Sequence, residues 1–359
     1  MEKKNSTEIA TLGEFGLIDR LTSKLKRRND STLLASGDDA AVIDLGDELL
    51  LLTTDMMTEG IDFDLSYFPL KHLGYKAIVR GVNDILAMNG RPEQVVVALG
   101  ISAKISVEAL DALYEGMEQA CKELGVDIVG GDTTASMNGL VITISAMGRA
   151  KREEVVYRSG AKEHDLICIT SNLGGAYMGL HLLEREKRVL KDIENPEPKF
   201  QGYEYLLERY LKPRARTNVL EALREEGIKP TSMIDLSDGL ASDLLQICRA
   251  SGVGAKVFLD RLPIASETFK MAEELHTDPV ISAMNGGEDY EMMFTVKLED
   301  REKILGIGTV TFYDPETKVY GALGHKLVDN DFSSIVDINS GSIFESEVTG
   351  IKKSSMGNV

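Results

Sequence analysis

In Met233-Ile-Asp-Leu-Ser-Asp-Gly-Leu-Ala-Ser-Asp-Leu244 an apolar run stops abruptly at acids and hydroxyls. Ser232–Asp235 has the character of a buried strand. Gly239 turns the chain, and Leu240, Leu244 and Leu245 then recur at helical spacing. A strand-to-helix junction therefore carries Asp235, Asp238 and Asp243 beside Ser237 and Ser242. The same punctuation recurs upstream. Glu48–Asp55, Val126–Asp132 and Asp165–Thr170 are strand-like runs that each end in acids, hydroxyls or glycines. Gln94–Ile101, Leu140–Met147, Ala255–Leu259 and Tyr290–Val296 are expected to be further strands.

Helical patterns alternate with these runs. Leu70–Met88 sets Leu73, Ala77, Ile78, Val82, Ile85 and Leu86 on one face. Ser106 can N-cap a helix bearing Leu110, Leu113, Met117, Cys121 and Leu124, and Gly125 can stop it. A third helix is expected after Asn172-Leu-Gly-Gly175, and an irregular insert over Glu184–Gly202, which holds Pro196 and Pro198. Residues 1–30 look helical and polar. The pattern is α/β of the α+β type. The charged stretch Arg149–Val155 separates a domain over 1–150 from one over 151–345, and 346–359 reads as a flexible tail.

The chain has 359 residues, enough for two domains with cores, and its 43% hydrophobic and 27% charged composition is that of an ordinary globular protein. No apolar run is long enough to span a membrane, and no apolar segment follows the basic start as in a secretory signal. The cysteines Cys121, Cys168 and Cys248 share no CxxC spacing and sit in apolar surroundings, as buried reduced thiols would in the cytoplasm. A formal net charge of −18 argues against nucleic-acid binding, because phosphate backbones would be repelled.

The acids gather at element ends. They are Asp38 and Asp39 after Gly37, Asp55 after Thr53-Thr54, Asp84 on a helix, and Asp132 after Gly130-Gly131. Asp235 and Asp238 follow, then Glu288 and Asp289 after Gly286-Gly287. Singly, each is most simply a helix cap or turn residue, and Asp84 could pair with Arg80 one helical turn away. Together they suggest more, since converging carboxylates repel unless a cation lies among them. An oxygen-only donor set without a Cys/His cluster suits a hard cation such as magnesium. The adjoining glycines let the backbone approach an anion, so a metal–phosphate ligand would satisfy both features. No P-loop, GxGxxG, GxSxG or HExxH is present, and the five histidines are scattered, which leaves no support for a hydrolase triad. Arg158 is the candidate phosphate ligand; otherwise it is a surface arginine.

The ordered series Gly37-Asp-Asp-Ala40, Thr53-Thr-Asp55, Asn83-Asp-Ile-Leu-Ala-Met-Asn-Gly90, Gly130-Gly-Asp-Thr-Thr134, Arg158-Ser-Gly-Ala-Lys162, Leu211-Lys-Pro-Arg214, Asp235-Leu-Ser-Asp-Gly239 and Gly286-Gly-Glu-Asp-Tyr-Glu291 resembles the thiamine-monophosphate kinases. That family belongs to the aminoimidazole-ribonucleotide synthetase-like superfamily of ATP-dependent enzymes. The resemblance implies a two-domain fold whose N-terminal strands contribute to an intersubunit β-barrel in a homodimer. It implies that ATP and thiamine monophosphate give thiamine diphosphate and ADP by direct γ-phosphoryl transfer, with several magnesium ions. By motif position it implies a metal shell of Asp39, Thr53, Thr54, Asp55, Asp84, Asp132, Asp235 and Asp238. It places Tyr114, Gly131, Asp132, Arg158 and Ser237 at the nucleotide, and Asp62 and Glu288 at the substrate. Core packing is the alternative role for Tyr114. Many relatives carry histidine where Asp62 stands. They often end in a Gly-aromatic segment, whose nearest match here, Ser340-Gly-Ser-Ile-Phe344, has Ser342 at the aromatic position.

Two other classes compete. One is a cousin enzyme of the superfamily; selenophosphate synthetases carry an early reactive cysteine and hydrogenase-maturation relatives a cysteine-bearing tail, and this chain has neither. The other is a non-catalytic nucleotide- or cation-binding protein, which would have no reason to keep so many unpaired acids.

Overall fold

The computed structural model describes residues 8–191, 193, 198–304, 310–313 and 320–322. The N-terminal unit begins with α1 (Gly13–Thr22), β1 (Thr32–Leu34), β2 (Ala41–Asp44) and β3 (Glu48–Thr58). It continues with α2 (Leu70–Ala87), β4 (Arg91–Ser102), α3 (Val107–Leu124), β5 (Asp127–Ser136) and β6 (Val141–Lys151). Its six strands run in the order β1-β2-β3-β6-β4-β5, antiparallel except for the β4–β5 edge. Burial alternates along β3, β4 and β6, as it must when one sheet face is covered. Leu51, Val97 and Ile144 meet Ile78, Val82 and Ile85 of α2, each burial contributing about 1.5–3 kcal/mol. Ser106 caps α3 by accepting from the Ala109 amide, and Gly125 ends it at φ 68°. The helices α2 and α3 touch through glycines: a Cβ on Gly74 would fall on the Leu113 carbonyl, and one on Gly116 on the Lys71 carbonyl. The opposite sheet face is open, with Leu52 38%, Met56 59%, Val96 37% and Val129 55% exposed.

The second unit comprises β7 (Leu166–Thr170), α4 (Gly175–Leu190), α5 (Glu204–Leu211), α6 (Thr217–Glu225), β8 (Ser232–Leu236) and α7 (Leu240–Ser251). Then follow α8 (Ser266–Glu274), α9 (Pro279–Asn285), β9 (Glu291–Val296), α10 (Arg301–Ile304), β10 (Val310–Tyr313) and β11 (Tyr320–Ala322). Its sheet, β11-β10-β7-β9-β8, is antiparallel throughout its pairings. Every residue of β7, β8 and β9 is buried, because apolar clusters lie on both faces. That is why these strands are unbroken runs rather than alternating ones. One of those clusters takes in Leu86 and Ala87 of α2, so the two units share packing.

Three expectations need correction. Ala255–Leu259 forms no strand: Ala255 and Val257 alternate inward, but they pack into the cluster holding Leu240, Leu244 and Ile247 of α7, and Leu259–Arg261 is a 3-10 turn. Glu184–Leu190 is not irregular, since α4 continues through it with Glu186 buried and the prolines fall beyond. Arg80 pairs with other acids than Asp84. The segment Ser340–Phe344 and the tail 346–359 lie outside the described residues.

Candidate active site

Three acids from three elements converge. Asp39 follows the Gly37 turn ahead of β2, Asp84 sits near the end of α2, and Asp235 lies in β8. One carboxylate oxygen of each lies within 4.8 Å of the others. Thr53 Oγ1 donates to Asp84 Oδ2 at 2.5 Å, and Asn83 Nδ2 donates to Asp235 Oδ2 at 3.1 Å. Arg158 donates to Asp39 Oδ1 from Nη2 at 2.5 Å and from Nε at 3.1 Å. Asp39 Oδ2 is buried with no hydrogen-bond partner. Burial pushes Asp39 up to about 6, with Arg158 opposing. Burial, and then the Asp39 charge, pushes Asp235 up to about 7. Asp84 is held well above its ordinary value by burial and by Asp235, Asp55 and Asp39. The group therefore resists full ionisation. An unpaired oxygen inside such a set is what a hard cation would satisfy.

A second cluster adjoins the first along α2. Arg80 Nε reaches Asp55 Oδ1 at 3.3 Å, and its Nη1 reaches Asp62 Oδ1 at 2.9 Å and Glu288 Oε1 at 3.8 Å. Asp62 also accepts from the Thr58 amide at 2.8 Å. Lys76, fully buried, pairs with Glu288 Oε2 at 2.5 Å, donates to the Tyr210 carbonyl at 3.0 Å and lies 3.9 Å from the Tyr210 ring centroid. Tyr290 donates its hydroxyl to Glu288 Oε1 at 2.8 Å. The loop that presents Glu288 is strained, with φ of 68° at Gly287, 63° at Glu288 and 51° at Tyr290. Non-glycine residues held in this region cost about 1–3 kcal/mol each and collect at functional sites. Between Glu288 and Tyr290, Asp289 faces the other way and accepts from the Gly174 and Ala176 amides at the start of α4. Asp243 similarly accepts from the Asp238 and Gly239 amides at the start of α7. These two acids are caps, as their residue type alone suggests.

A cleft of about 1000 Å³ opens beside Asp39, lined by Asp38, Asp39, Thr53, Thr54, Arg158 and Phe15 among others. Thr54 borders it from the open sheet face, where its hydroxyl meets Ser145 at 3.0 Å, so it points away from Asp84. Ser237 Oγ lies 3.5 Å from Asp235, and Asp238 is exposed at the turn that follows.

Three expected site residues are not gathered within one chain. Gly131 and Asp132 are exposed on edge strand β5, three positions from β3 in the sheet, about 14 Å at ordinary strand spacing. A Cβ on Gly131 would fall on the Val97 carbonyl of β4, which accounts for that glycine by packing. Tyr114 is 39% exposed on α3, so the core-packing alternative fails. The α2–α3 contact beneath it is at Gly74, ten residues and about 15 Å of helix from Asp84. Conversely, Lys76, Arg80 and Asn83 were not among the expected ligands. Their signal is present: with Asp84 they fall at i, i+4, i+7 and i+8, a polar stripe on a helix whose remaining residues are mostly buried.

Residues 37–150 match the AIR synthase related protein N-terminal domain, and 162–308 the corresponding C-terminal domain. A further match, to SpoIVB peptidase S55, spans 293–359; its opening residues are β9 and α10 of the second unit. Thiamine-monophosphate kinase of Aquifex aeolicus is 32% identical over 79% of this chain and 86% of that protein. The Bacillus subtilis enzyme of that name is 32% identical over 86% of this chain and 90% of its own length. A solved structure of AaThiL complexed with AMPPCP and TMP superposes with a TM-score of 0.75 at 28% identity, covering 94% of both chains.

Proposed function

The chain belongs to the thiamine-monophosphate kinase family, and from that premise we propose that Asp39, Asp84 and Asp235 form the cation seat at which it phosphorylates thiamine monophosphate with ATP. The observation that carries this is the buried, mutually repelling carboxylate trio with its unpartnered Asp39 Oδ2. The donors are all oxygen, which suits magnesium; Thr53 hydrogen-bonds Asp84 and the Asp55 charge acts on it, so both would extend the shell, with Asp238 from the following turn. Bound magnesium would neutralise charge on the triphosphate and acceptor and align them. Arg158 lines the cleft, and with Ser237 it would hold the nucleotide phosphates; Arg158 would turn from Asp39 toward them. Asp62 and Glu288 would face the cationic thiamine ring. An acceptor phosphate oxygen attacks the γ-phosphorus, the bond to ADP breaks, and ADP leaves with that electron pair. The acceptor is already ionised, so no general base is required.

A homodimer completes this reading. The open sheet face, with Leu52, Met56 and Val96 exposed, would be covered by a second copy. Tyr114, Gly131 and Asp132, which one chain leaves outside its own cluster, would then serve a site built by two. In this reading residues 1–150 would form the nucleotide-binding and dimer-forming domain and 151–345 the domain that completes the site. Three buried free thiols suit a cytoplasmic enzyme.

The test is chromatographic. Protein is incubated with ATP, magnesium and thiamine monophosphate, beside an EDTA control. Thiamine diphosphate equal to the ADP formed, and absent with EDTA, is expected. ATP binding without product would move the chain to a binding role.

A further inference from the structure

Arg80 lies on α2 one turn after Lys76 and one turn before Asp84, between the strained Glu288 loop and the carboxylate trio. Its guanidinium meets one acid of the cation side, Asp55, and two of the substrate side, Asp62 and Glu288. None of these contacts is a two-nitrogen fork, the arrangement in which arginine binds carboxylate or phosphate best. Its Nη2 makes no hydrogen bond among the described residues, and its side chain is 21% exposed. The other cations nearby are committed elsewhere. Lys76 has no exposed surface and points into the rings of Tyr210 and Phe68 behind Glu288. Arg158 is bound to Asp39 at the nucleotide cleft.

The substrate imposes a charge problem here. Thiamine monophosphate joins a cationic ring to an anionic phosphate. Asp62 and Glu288 suit the ring, but together with Asp55 they repel the phosphate from the passage toward the trio. A partly exposed arginine at that junction removes the barrier and offers a free fork edge. We propose that Arg80 binds the acceptor phosphate and is the residue by which the site distinguishes thiamine monophosphate from thiamine. This rests on the substrate assignment above, and it adds a discriminating residue that the motif series does not contain.

The alternative is a strut: Arg80 could serve only to hold Asp55, Asp62 and Glu288 in place. Binding of thiamine monophosphate and of thiamine separates the two roles. Calorimetry on wild type, Arg80→Met and Arg80→Lys gives both constants, and steady-state kinetics gives KM for each substrate. In Arg80→Met, affinity for thiamine monophosphate is expected to fall about 10- to 100-fold, the worth of one charge-assisted hydrogen-bonding contact. Affinity for thiamine and KM for ATP should stay within about twofold, the scatter of such measurements near unchanged free energy. Arg80→Lys keeps the charge among the three acids and loses the fork, so it should lose affinity for the monophosphate alone, by a smaller factor. Equal loss of thiamine and thiamine monophosphate in both variants overturns the proposal and leaves the strut. A wild type that makes no thiamine diphosphate would overturn the underlying assignment instead, whatever the variants do.

Discussion

Asp39, Asp84 and Asp235 hold carboxylates where ionisation is disfavoured, and this has a measurable sign. An unfolded aspartate titrates near ~4. The folded values are about 6 for Asp39 and about 7 for Asp235. Between these limits the folded chain binds more protons than the unfolded one, so stability falls as pH rises through that window. His72 and His181, lowered mainly by desolvation, act in the opposite sense. The aspartate contribution is isolated by comparing wild type with Asp235→Asn. Metal-free wild type should lose more Tm between pH 5 and pH 8 than the variant, and magnesium should restore more at pH 8 than at pH 5. Equal pH slopes in the two proteins would count against the trio. A second residue-scale expectation concerns Lys76. Lys76→Met strips Glu288 of its buried partner and should cost about 3 kcal/mol in urea unfolding, at the lower end for a buried pair because Glu288 keeps some solvent access. Adding Glu288→Gln should recover most of that, whereas no recovery would mean the cost is lost packing around the lysine stem.

At the scale of elements, α2 is the spine of the site. One helix delivers Lys76, Arg80, Asn83 and Asp84 to the acids while its opposite side packs on α3. Its position is set by the glycine contacts with α3. Gly116→Ala would drive a Cβ onto the Lys71 carbonyl and should cost about 1–3 kcal/mol, offset in part by alanine's better helix propensity of up to ~1 kcal/mol. A lower Tm is expected; an unchanged or higher Tm would mean that the helices can separate freely. Most elements were legible in the sequence because their signals are local. Ser106 and Gly125 bound α3 as caps, β8 announces itself as an apolar run closed by acids, and β9 as an apolar run that follows them. Ala255–Leu259 misled because alternation reports burial on one side, and helix α7 can provide that as well as a sheet can. The acids of the trio were legible as a group, since no other residue type explains so many at element ends. The pairing of Asp55, Asp62 and Glu288 with Arg80 and Lys76 was not, because it depends on how α2 registers against β3 and the Glu288 loop. Which acids cap helices, as Asp243 and Asp289 do, the latter also pairing with Arg209, was equally hidden.

For the whole molecule, the proposed function has the open sheet face covered by a second copy, which would also bring Asp132 and Tyr114 to the site. Met56→Lys should convert a dimer to a monomer in light scattering and abolish most turnover. A fully active monomer would remove the partner from the account. Complementation is sharper still. Mixing Asp132→Asn with Asp235→Asn subunits should restore activity if the two residues act across the interface, because one of the two mixed sites then keeps both. In the proposed function, transfer depends on a cation that the carboxylate trio would seat. Turnover of thiamine monophosphate against magnesium concentration, in wild type and in Asp235→Asn of matched fold and ATP affinity, tests it most directly. The wild type should rise with magnesium and saturate, while the variant should fall about 10²- to 10⁴-fold and need more metal, a loss of several kcal/mol of charge stabilisation. Asp235→Asn turning over at the wild-type rate at limiting magnesium would contradict the account.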